Sequence, residues 1–360
     1  MSVTTSAGPG AGHAGQARLS RVDGRVVDDP HEADLTAAMA GQEPFWLDLP
    51  GVSHQQAGWL EHVFGLHPLV VEDAQQFGER PKLEQFPDYV AVVVYGAGAD
   101  ASLERLAQPA GAPGGASPEA VDASPLDPLS EVHCIVSTHY IITVHRGDSP
   151  AMSEAARRVS AGGALARGPA AVFYQVADAL TDSLFPVVTE LDDRLDALQA
   201  EIIRAPRSSQ LTELNTYRSA LVPLHKVLTS QEDVFANLAS GRVRLPGAGD
   251  DQLPYFRDVH DHIKKLSDLA DSFRALMGGA AAAYSSGVSN QLNVVMKQLA
   301  IISTVFLPLS FLTGFFGQNF GAMVGHIESW QAFVIFGVGS EVLAAVLLGV
   351  LFWRRGWLKT

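Results

Sequence analysis

The stretch QLAIISTVFLPLSFLTGFFGQNFG (residues 298–321) decides the architecture of this 360-residue chain. Its first 19 residues, 298–316, carry no formal charge, and residues 331–353 form a second apolar run that only Glu341 interrupts. A helix needs about 20 apolar residues to cross the hydrocarbon core of a bilayer. The sequence therefore predicts two membrane-spanning helices near the C-terminal end.

Basic residues predict the orientation of the two spans. Lys297 precedes the first span, the tail 354–360 that follows the second is basic, and the connection 317–330 contains neither lysine nor arginine. Positive charge accumulates on the cytoplasmic flanks of membrane helices. We therefore expect a multi-pass protein of the cell membrane with cytoplasmic N- and C-termini. The tripeptide Gly317-Gln318-Asn319 would lie at the outer mouth of the first span.

Composition limits the other possibilities. The formal net charge of -14 argues against nucleic acid as the main partner. The single cysteine, Cys134, excludes an internal disulfide and is typical of a reducing compartment. Residues 1–19 begin without an apolar core or a basic start, so we interpret them as a disordered tail rather than a signal peptide.

Residues 20–165 are predicted to form a soluble α/β or α+β domain. The β-branched run in DYVAVVVYGA (88–97) is typical of a buried strand, and strands resume in EVHCIVSTHYIITVH (131–145). Between them, residues 98–127 are rich in Ala, Gly, Pro and Ser, which predicts a flexible insertion.

Residues 166–296 are predicted to be helical, and residues 297–353 to form the transmembrane domain. Apolar residues recur at steps of three and four over 188–202 and again over 211–228, which predicts a long antiparallel hairpin. From residue 255 to 316 there is no strong break, so a helix there would be about 90 Å long. We interpret it as a stalk that carries the state of the cytoplasmic domain into the bilayer.

The first span also has a seam of small and polar residues with a mean spacing near 3.5. Its members are Asn293, Met296, Ala300, Ser303, Leu307, Ser310, Gly314 and Gly317. Such a repeat indicates a helix that supercoils with copies of itself, and small residues allow close packing in lipid. The pattern alone leaves open whether the assembled helices enclose a pore or pack as a solid bundle.

Four sequence motifs, which follow one another along the chain, cover nearly all of it except the N-terminal tail and the insertion. They are GLHPLVVEDAQQFGERPKLEQFPDYV (65–90), YFRDVHDH (255–262), SSGVSNQLNVVMKQLAIISTVFLPLSFLTGFFGQNF (285–320) and WRRGWL (353–358). Together they resemble the CorA family of divalent metal-ion transporters. The resemblance implies a homopentameric funnel, in which an α/β-sandwich cytoplasmic domain precedes a helical hairpin, a stalk helix and two spans, with five first spans around the pore.

The usual signature of that family is Gly-Met-Asn, whereas this chain has Gly317-Gln318-Asn319, so the resemblance does not extend to the middle residue. Mg²⁺ dehydrates reluctantly, so rings of amide and carbonyl oxygens could bind its waters without stripping the ion. The expected pore-lining residues are Gly317, Gln318, Asn319, Asn293, Ser303, Ser310 and Gly314. The expected hydrophobic gates are Met296, Leu299 and Leu307. The alternative role for Asn319 is a helix C-cap.

Members of the family sense intracellular Mg²⁺ through acidic residues at cytoplasmic subunit interfaces. The matching positions here are Asp73 and Asp258. Glu72 and Asp178 are weaker candidates, and His262 is a candidate because it shares a helix face with Asp258. Carboxylates that meet across an interface repel each other unless a cation bridges them, so falling Mg²⁺ would open the gate. The alternative for the DVHDH segment is a solvated helix face.

The leading hypothesis is therefore a passive channel for Mg²⁺, and also Co²⁺ or Ni²⁺, with Mg²⁺ as both transported and regulatory ion and no organic cofactor. A Zn²⁺ transporter, with or without coupling to protons, is the runner-up because of the altered signature, the histidines and Glu341. An enzyme anchored by the two spans is the third hypothesis. Against it, the sequence has no phosphate-binding loop, no H-E-x-x-H and no G-x-S-x-G.

Overall fold

A computed structural model describes residues 16–108, 126, 128–147, 149–318, 325 and 329–355. The chain divides into two compact units, residues 1–282 and residues 283–360. The first unit consists of a mixed sheet and its surrounding helices. The second consists of two apolar helices.

Seven strands form the sheet of the first unit: β1 Arg18–Arg21, β2 Val26–Asp28, β3 Phe45–Leu49, β4 Lys82–Gln85, β5 Tyr89–Ala97, β6 Leu129–Ser137 and β7 Tyr140–His145. Their order is β2-β1-β3-β7-β6-β5-β4. β3 and β7 pair in parallel with Phe45 opposite Tyr140, and the other neighbouring pairs are antiparallel. Both predicted strand regions are confirmed, and the sheet is mixed.

Eight helices follow the chain around and beyond this sheet: α1 Glu32–Gly41, α2 His54–His62, α3 Pro68–Gln76, α4 Leu103–Ala107, α5 Pro150–Gly162, α6 Pro169–Arg204, α7 Ser208–Ala239 and α8 Leu253–Phe316. Short 3-10 turns occupy Ala164–Arg167 and Asp250–Gln252. α6 ends two residues before Pro206, because proline disfavours helical geometry in the residue that precedes it. The predicted long helix is confirmed as α8, which contributes to both units.

The two faces of the sheet carry separate apolar clusters, since successive strand residues point to opposite faces. In β7, Ile141 belongs to the cluster that α5 to α8 cover, whereas Tyr140 and Ile142 belong to the cluster that α1 to α3 cover. Fully buried side chains such as Phe173 and Leu60 each contribute roughly 1.5–3 kcal/mol to folding. The sheet and the helices on its two faces thus form a three-layer α/β sandwich.

The first residues of the predicted flexible insertion are ordered as a short helix. Within 98–127, Leu103–Ala107 form the helix α4, in which Leu103 and Leu106 are buried. Ser102 caps this helix by accepting a hydrogen bond from the Arg105 amide at 3.3 Å. Two leucines at helical spacing bury enough apolar surface to fix this turn against α7, although the surrounding composition favours a loop.

The second unit contains the C-terminal part of α8 and α9, Trp330–Arg354. Both helices are long and apolar enough to cross a membrane. Ser329 caps α9 by accepting a hydrogen bond from the Ala332 amide at 3.1 Å. Within α9, residues Phe333–Val338 form a π-helical segment, and Gly339–Arg354 continue as α-helix.

Candidate functional site: an exposed helix face and a cation-binding cluster

The predicted seam lies along one exposed face of α8. Asn293, Ser303, Ser310 and Gly314 are all exposed in the single chain. The predicted gates Met296, Leu299 and Leu307 are 63%, 56% and 76% exposed. Large apolar side chains with this exposure need lipid or other copies of the helix around them.

α9 leaves this face of α8 uncovered. The less exposed residues of the first span are Ile301, Val305, Pro308, Leu309, Leu312 and Phe316, which also recur at steps of three and four. Residues five apart on a helix point about 140° away from each other, so Val305 and Leu312 lie on the side opposite Ser310 and Leu307. In α9, the less exposed stripe includes Gly337, Glu341, Ala344 and Phe352.

A hydrogen bond joins the two spans. Thr313 Oγ1 of α8 lies 2.9 Å from Glu341 Oε1 of α9. The sequence singled out Glu341 but gave no partner for it. Thr313 is three residues from Ser310 and so lies about 60° around α8 from it, which places this contact at the edge of the seam.

α8 ends immediately before the signature tripeptide. The Gly317 amide donates to the Thr313 carbonyl at 3.0 Å, and the Gln318 amide donates to the Phe315 carbonyl at 3.3 Å. Gly317 and Gln318 are both exposed. The predicted ion-ring residue Asn319 lies outside the described residues, as do the loop residues His326 and Glu328.

A second candidate site lies in the first unit, between α6 and α8. Asp178, Asp258 and His262 each offer one ligand atom, and these atoms lie within 4.8 Å of one another. His262 Nδ1 is 4.0 Å from Asp178 Oδ1, and His262 Nε2 is 4.0 Å from Asp258 Oδ1. The structure thus brings together three of the five predicted regulatory residues. Two carboxylates and an imidazole form a donor set that suits a divalent cation.

The electrostatics of this cluster favour a bound cation. Burial raises the pKa of the Asp178 carboxyl above its ordinary value, and the charges of Asp182 and Asp258 raise it further, against the opposing effect of Arg158. Burial, with Asp178 and Asp258 nearby, also raises the pKa of Tyr174 to about 12. The negative charges are therefore under-compensated by the protein, and a cation would relieve their repulsion.

Arg158 is a residue of this region that the sequence analysis missed. Its guanidinium donates to Asp178 Oδ2 at 2.7 Å, Asp182 Oδ2 at 3.0 Å and Glu154 Oε1 at 2.8 Å. It thereby occupies one oxygen of Asp178 and leaves Oδ1 facing His262. Only the Glu154–Arg158 spacing of four was visible in the sequence, because the aspartates lie on another helix.

The other two predicted regulatory residues are on α3, outside the three-residue cluster. Asp73 Oδ2 accepts a hydrogen bond from Lys82 Nζ at 2.6 Å. Although burial opposes it, bonding to Asp73 and Glu79 raises the pKa of Lys82. Glu72 is exposed and accepts from Gln76 Nε2 at 3.1 Å. In the single chain, a lysine therefore already compensates the charge of Asp73.

Comparison with known proteins agrees with this architecture. The family described as "CorA-like Mg2+ transporter protein" matches residues 41–109 and 116–355. The cobalt/magnesium transport protein CorA of Thermotoga maritima is 29% identical over 321 residues, which cover 88% of this chain and 84% of that protein. The zinc transport protein ZntB of Yersinia enterocolitica is 26% identical over 326 residues, 89% of each chain.

A solved structure shows the same fold. The CorA magnesium transporter from Methanocaldococcus jannaschii superposes with a TM-score of 0.74 at 17% identity, covering 97% of this chain and 100% of that one. The matched family consists of ion transporters rather than enzymes. This chain belongs to the CorA-like Mg²⁺ transporter family and is a membrane transporter of divalent metal ions.

Proposed function

We propose that the chain forms a homopentameric channel through which Mg²⁺ enters the cytoplasm, with Co²⁺ and Ni²⁺ as further substrates. The exposed face of α8 carries this proposal. Asn293, Ser303 and Ser310 form a polar stripe on a membrane helix, on the side that α9 leaves exposed. Polar groups in a span are expensive unless they face water or protein. Five such faces around one axis would satisfy them in a hydrated pore.

The chemistry of this stripe suits an ion that keeps its waters. Hydroxyl, amide and carbonyl oxygens can accept hydrogen bonds from the hydration shell of Mg²⁺, and they lack the charge that would trap the ion. We assign the outer selectivity ring to Gly317, Gln318 and Asn319, and an inner ring to Asn293. Met296, Leu299 and Leu307 are the proposed apolar gates.

The proposed topology places both termini in the cytoplasm and the 317–330 connection outside. In the same scheme, residues 20–165 form the sensing domain, 166–296 the hairpin and stalk, and 297–353 the pore domain. The uneven distribution of lysine and arginine around the two spans supports this orientation.

We further propose that intracellular Mg²⁺ closes the channel by binding cytoplasmic carboxylates. Asp178, Asp258 and His262 form one such site, since their ligand atoms lie within 4.8 Å of one another. Asp73 and Glu72 would contribute from a neighbouring subunit, and Asp73 would exchange Lys82 for the cation. Losing the cation would leave the carboxylates unneutralised and loosen the closed ring.

A Zn²⁺ transporter is the second candidate. His262 favours it, because an imidazole beside two carboxylates suits Zn²⁺ better than Mg²⁺. The zinc transport relative supports the same alternative. Intramembrane Glu341 offers a carboxyl group that a proton-coupled mechanism would need.

The deciding experiment measures ion flux into liposomes that contain the purified full chain. Mg²⁺ and Zn²⁺ are compared at fixed potential, with and without a pH gradient. Potential-driven Mg²⁺ entry that Asn319→Ala abolishes and Ser340→Ala preserves would support the channel. Zn²⁺ entry driven by the proton gradient would favour the second candidate. No flux of either ion from an assembled pentamer would contradict both.

A further inference from the structure

Glu341 and Thr313 form a polar contact inside the apolar part of the molecule. Glu341 is the only Asp, Glu, Lys or Arg in residues 331–353. Its Oε1 lies 2.9 Å from Thr313 Oγ1, so one hydrogen bond joins the two spans of the same chain. The question is which of the two groups supplies the hydrogen atom.

The bonding of Thr313 reduces this question to two arrangements. A threonine hydroxyl has one proton to donate and lone pairs with which to accept. Thr313 Oγ1 also lies 2.7 Å from the Leu309 carbonyl oxygen, which can only accept. One hydroxyl proton can serve only one of these contacts: it either donates to an ionised Glu341 carboxylate, or it donates to the Leu309 carbonyl while a protonated Glu341 carboxyl donates to Thr313 Oγ1.

The surroundings of Glu341 favour the second arrangement, in which the carboxyl is neutral. Between Lys297 and Arg354 the other titratable side chains are His326 and Glu328, which lie outside the described residues. Lys297 is about 24 Å along α8 from Thr313, and Arg354 is about 20 Å along α9 from Glu341. Among the described residues no cation pairs with Glu341. An ionised carboxylate is strongly disfavoured in such a place.

The contact also reaches the signature tripeptide. The Thr313 carbonyl accepts the hydrogen bond of the Gly317 amide at 3.0 Å. Thr313 therefore links Glu341, through one residue, to the last turn of the pore helix. The π-helical segment Phe333–Val338 lies just before Glu341 and changes which residues of α9 face α8. Segments of this kind are frequent at functional sites.

We propose that Glu341 is a proton-binding positioning residue, whose neutral carboxyl donates a hydrogen bond to Thr313 and holds the Gly317 end of the first span in the conducting geometry. This proposal rests on the proposed transport function and deepens it. The role requires the neutral acid, because the ionised form could not donate this bond.

The first test compares flux in full-length variants, with Mg²⁺ as the probe or with Zn²⁺ if the wild type carries no Mg²⁺. Glu341→Gln keeps a donor and Thr313→Ser keeps the hydroxyl, so both should stay within about twofold of wild type. Glu341→Leu and Thr313→Val should each lower flux about three- to tenfold, the range for one interhelical hydrogen bond. The double variant should lose no more than either single variant.

Additive losses in the double variant, or a Glu341→Gln variant as impaired as Glu341→Leu, would overturn the proposal. Thr313→Val keeps the side-chain shape, so it provides the test if Glu341→Leu does not assemble.

The second test detects the proton directly. The infrared difference spectrum of wild type minus Glu341→Gln should contain the carbonyl band of a protonated carboxylic acid at neutral pH. Carboxylate bands in its place would overturn the proposal. This spectrum does not depend on flux, so a wild type that carries neither ion would contradict the proposed function while the infrared result still decides the role of Glu341.

Discussion

The imidazole Nδ1 of His262 is buried and lies 4.0 Å from Asp178 Oδ1, too far for a hydrogen bond, and it has no other hydrogen-bond partner among the described residues. A buried nitrogen without a partner carries a penalty that a cation would remove. The ring is held in place by an edge-on contact with Phe185, with the ring centres 5.9 Å apart. His262 is thus oriented between two carboxylates as a ligand would be.

The first prediction concerns the metal preference of this cluster. His262→Gln should weaken Zn²⁺ or Co²⁺ binding by at least about tenfold, the loss that even outer-shell changes around a metal cause. Mg²⁺ binding should change less, because Mg²⁺ prefers oxygen ligands. The measurement is the rise in Tm of the full chain as each ion is titrated.

His260→Gln provides the matched control, because His260 lies on the same helix and its Nδ1 is 3.5 Å from Asp261. An equal loss in both variants, or no loss in His262→Gln, would exclude His262 as a ligand.

The second prediction concerns the pH dependence of cation binding. The raised pKa of Asp178, caused first by burial and then by Asp182, means that the folded protein holds this proton more tightly than the unfolded chain. The associated stability is present below pH 3.8, the ordinary value, and is lost as pH rises through the folded pKa. A cation that binds the ionised Asp178 carboxylate stabilises the folded protein in place of the proton.

Cation affinity should therefore fall as pH is lowered toward the pKa of Asp178, with proton release on binding. Calorimetry in two buffers of different ionisation enthalpy measures the release. The His262→Gln background removes the imidazole, which would also compete for protons. Asp178→Asn in that background should reduce the remaining dependence, and an unchanged proton release there would assign it to another group.

The sequence predicted elements whose cause is local. The charge-free run 298–316 and the β-branched strand β5 were recognised because their apolar patterns are continuous along the chain. The sequence did not predict the helix α4, because Leu103 and Leu106 lie in a low-complexity segment. Their packing against α7 stabilises this helix.

Within the sites, side-chain types could be predicted more readily than their partners. The pairs Arg158–Asp178 and Lys82–Asp73 depend on how helices and strands pack, and no spacing rule connects them. Glu341 was conspicuous in an apolar run, whereas Thr313 was not, because its role depends on how the two spans face each other. Candidate ligands can therefore be identified from the sequence alone. The residues that neutralise their charge can be identified only from the tertiary structure.

The third prediction concerns the competition between Lys82 and a cation at Asp73. Lys82 Nζ lies 2.6 Å from Asp73 Oδ2 and 3.1 Å from Glu79 Oε2. Lys82→Met should leave these carboxylates uncompensated and lower the Mg²⁺ concentration that closes the proposed channel. The free energy of unfolding without Mg²⁺ should fall by only about 1 kcal/mol, since the pair is partly exposed.

Lys264→Met is the control, because Lys264 pairs with Glu232 at 3.6 Å at another surface position. Flux measured against internal Mg²⁺ distinguishes the two variants. If Lys82→Met and Lys264→Met close at the same Mg²⁺ concentration, Asp73 is not a regulatory ligand.

The fourth prediction concerns Glu131, a carboxylate 8% exposed that fixes the turn after α3. Glu131 Oε2 accepts from the Gly78 amide at 2.6 Å and from the Tyr95 hydroxyl at 2.7 Å. Oε1 accepts from the Glu79 amide at 3.1 Å and lies 2.8 Å from His133 Nε2. Although burial opposes it, these contacts lower the pKa of Glu131.

A lowered pKa gives stability that is present above the ordinary value of 4.5 and is lost as pH falls through the folded pKa. Glu131→Gln replaces one acceptor oxygen by an amide that would face backbone donors. The free energy of unfolding should therefore fall by about 2–4 kcal/mol, and its dependence on acid pH should weaken. Denaturant unfolding of the full chain from pH 7 to pH 4 measures both effects. The exposed Glu61→Gln variant on α2 should remain within about 0.5 kcal/mol of wild type, and an equally small effect of Glu131→Gln would mean that the turn holds its geometry without this carboxylate.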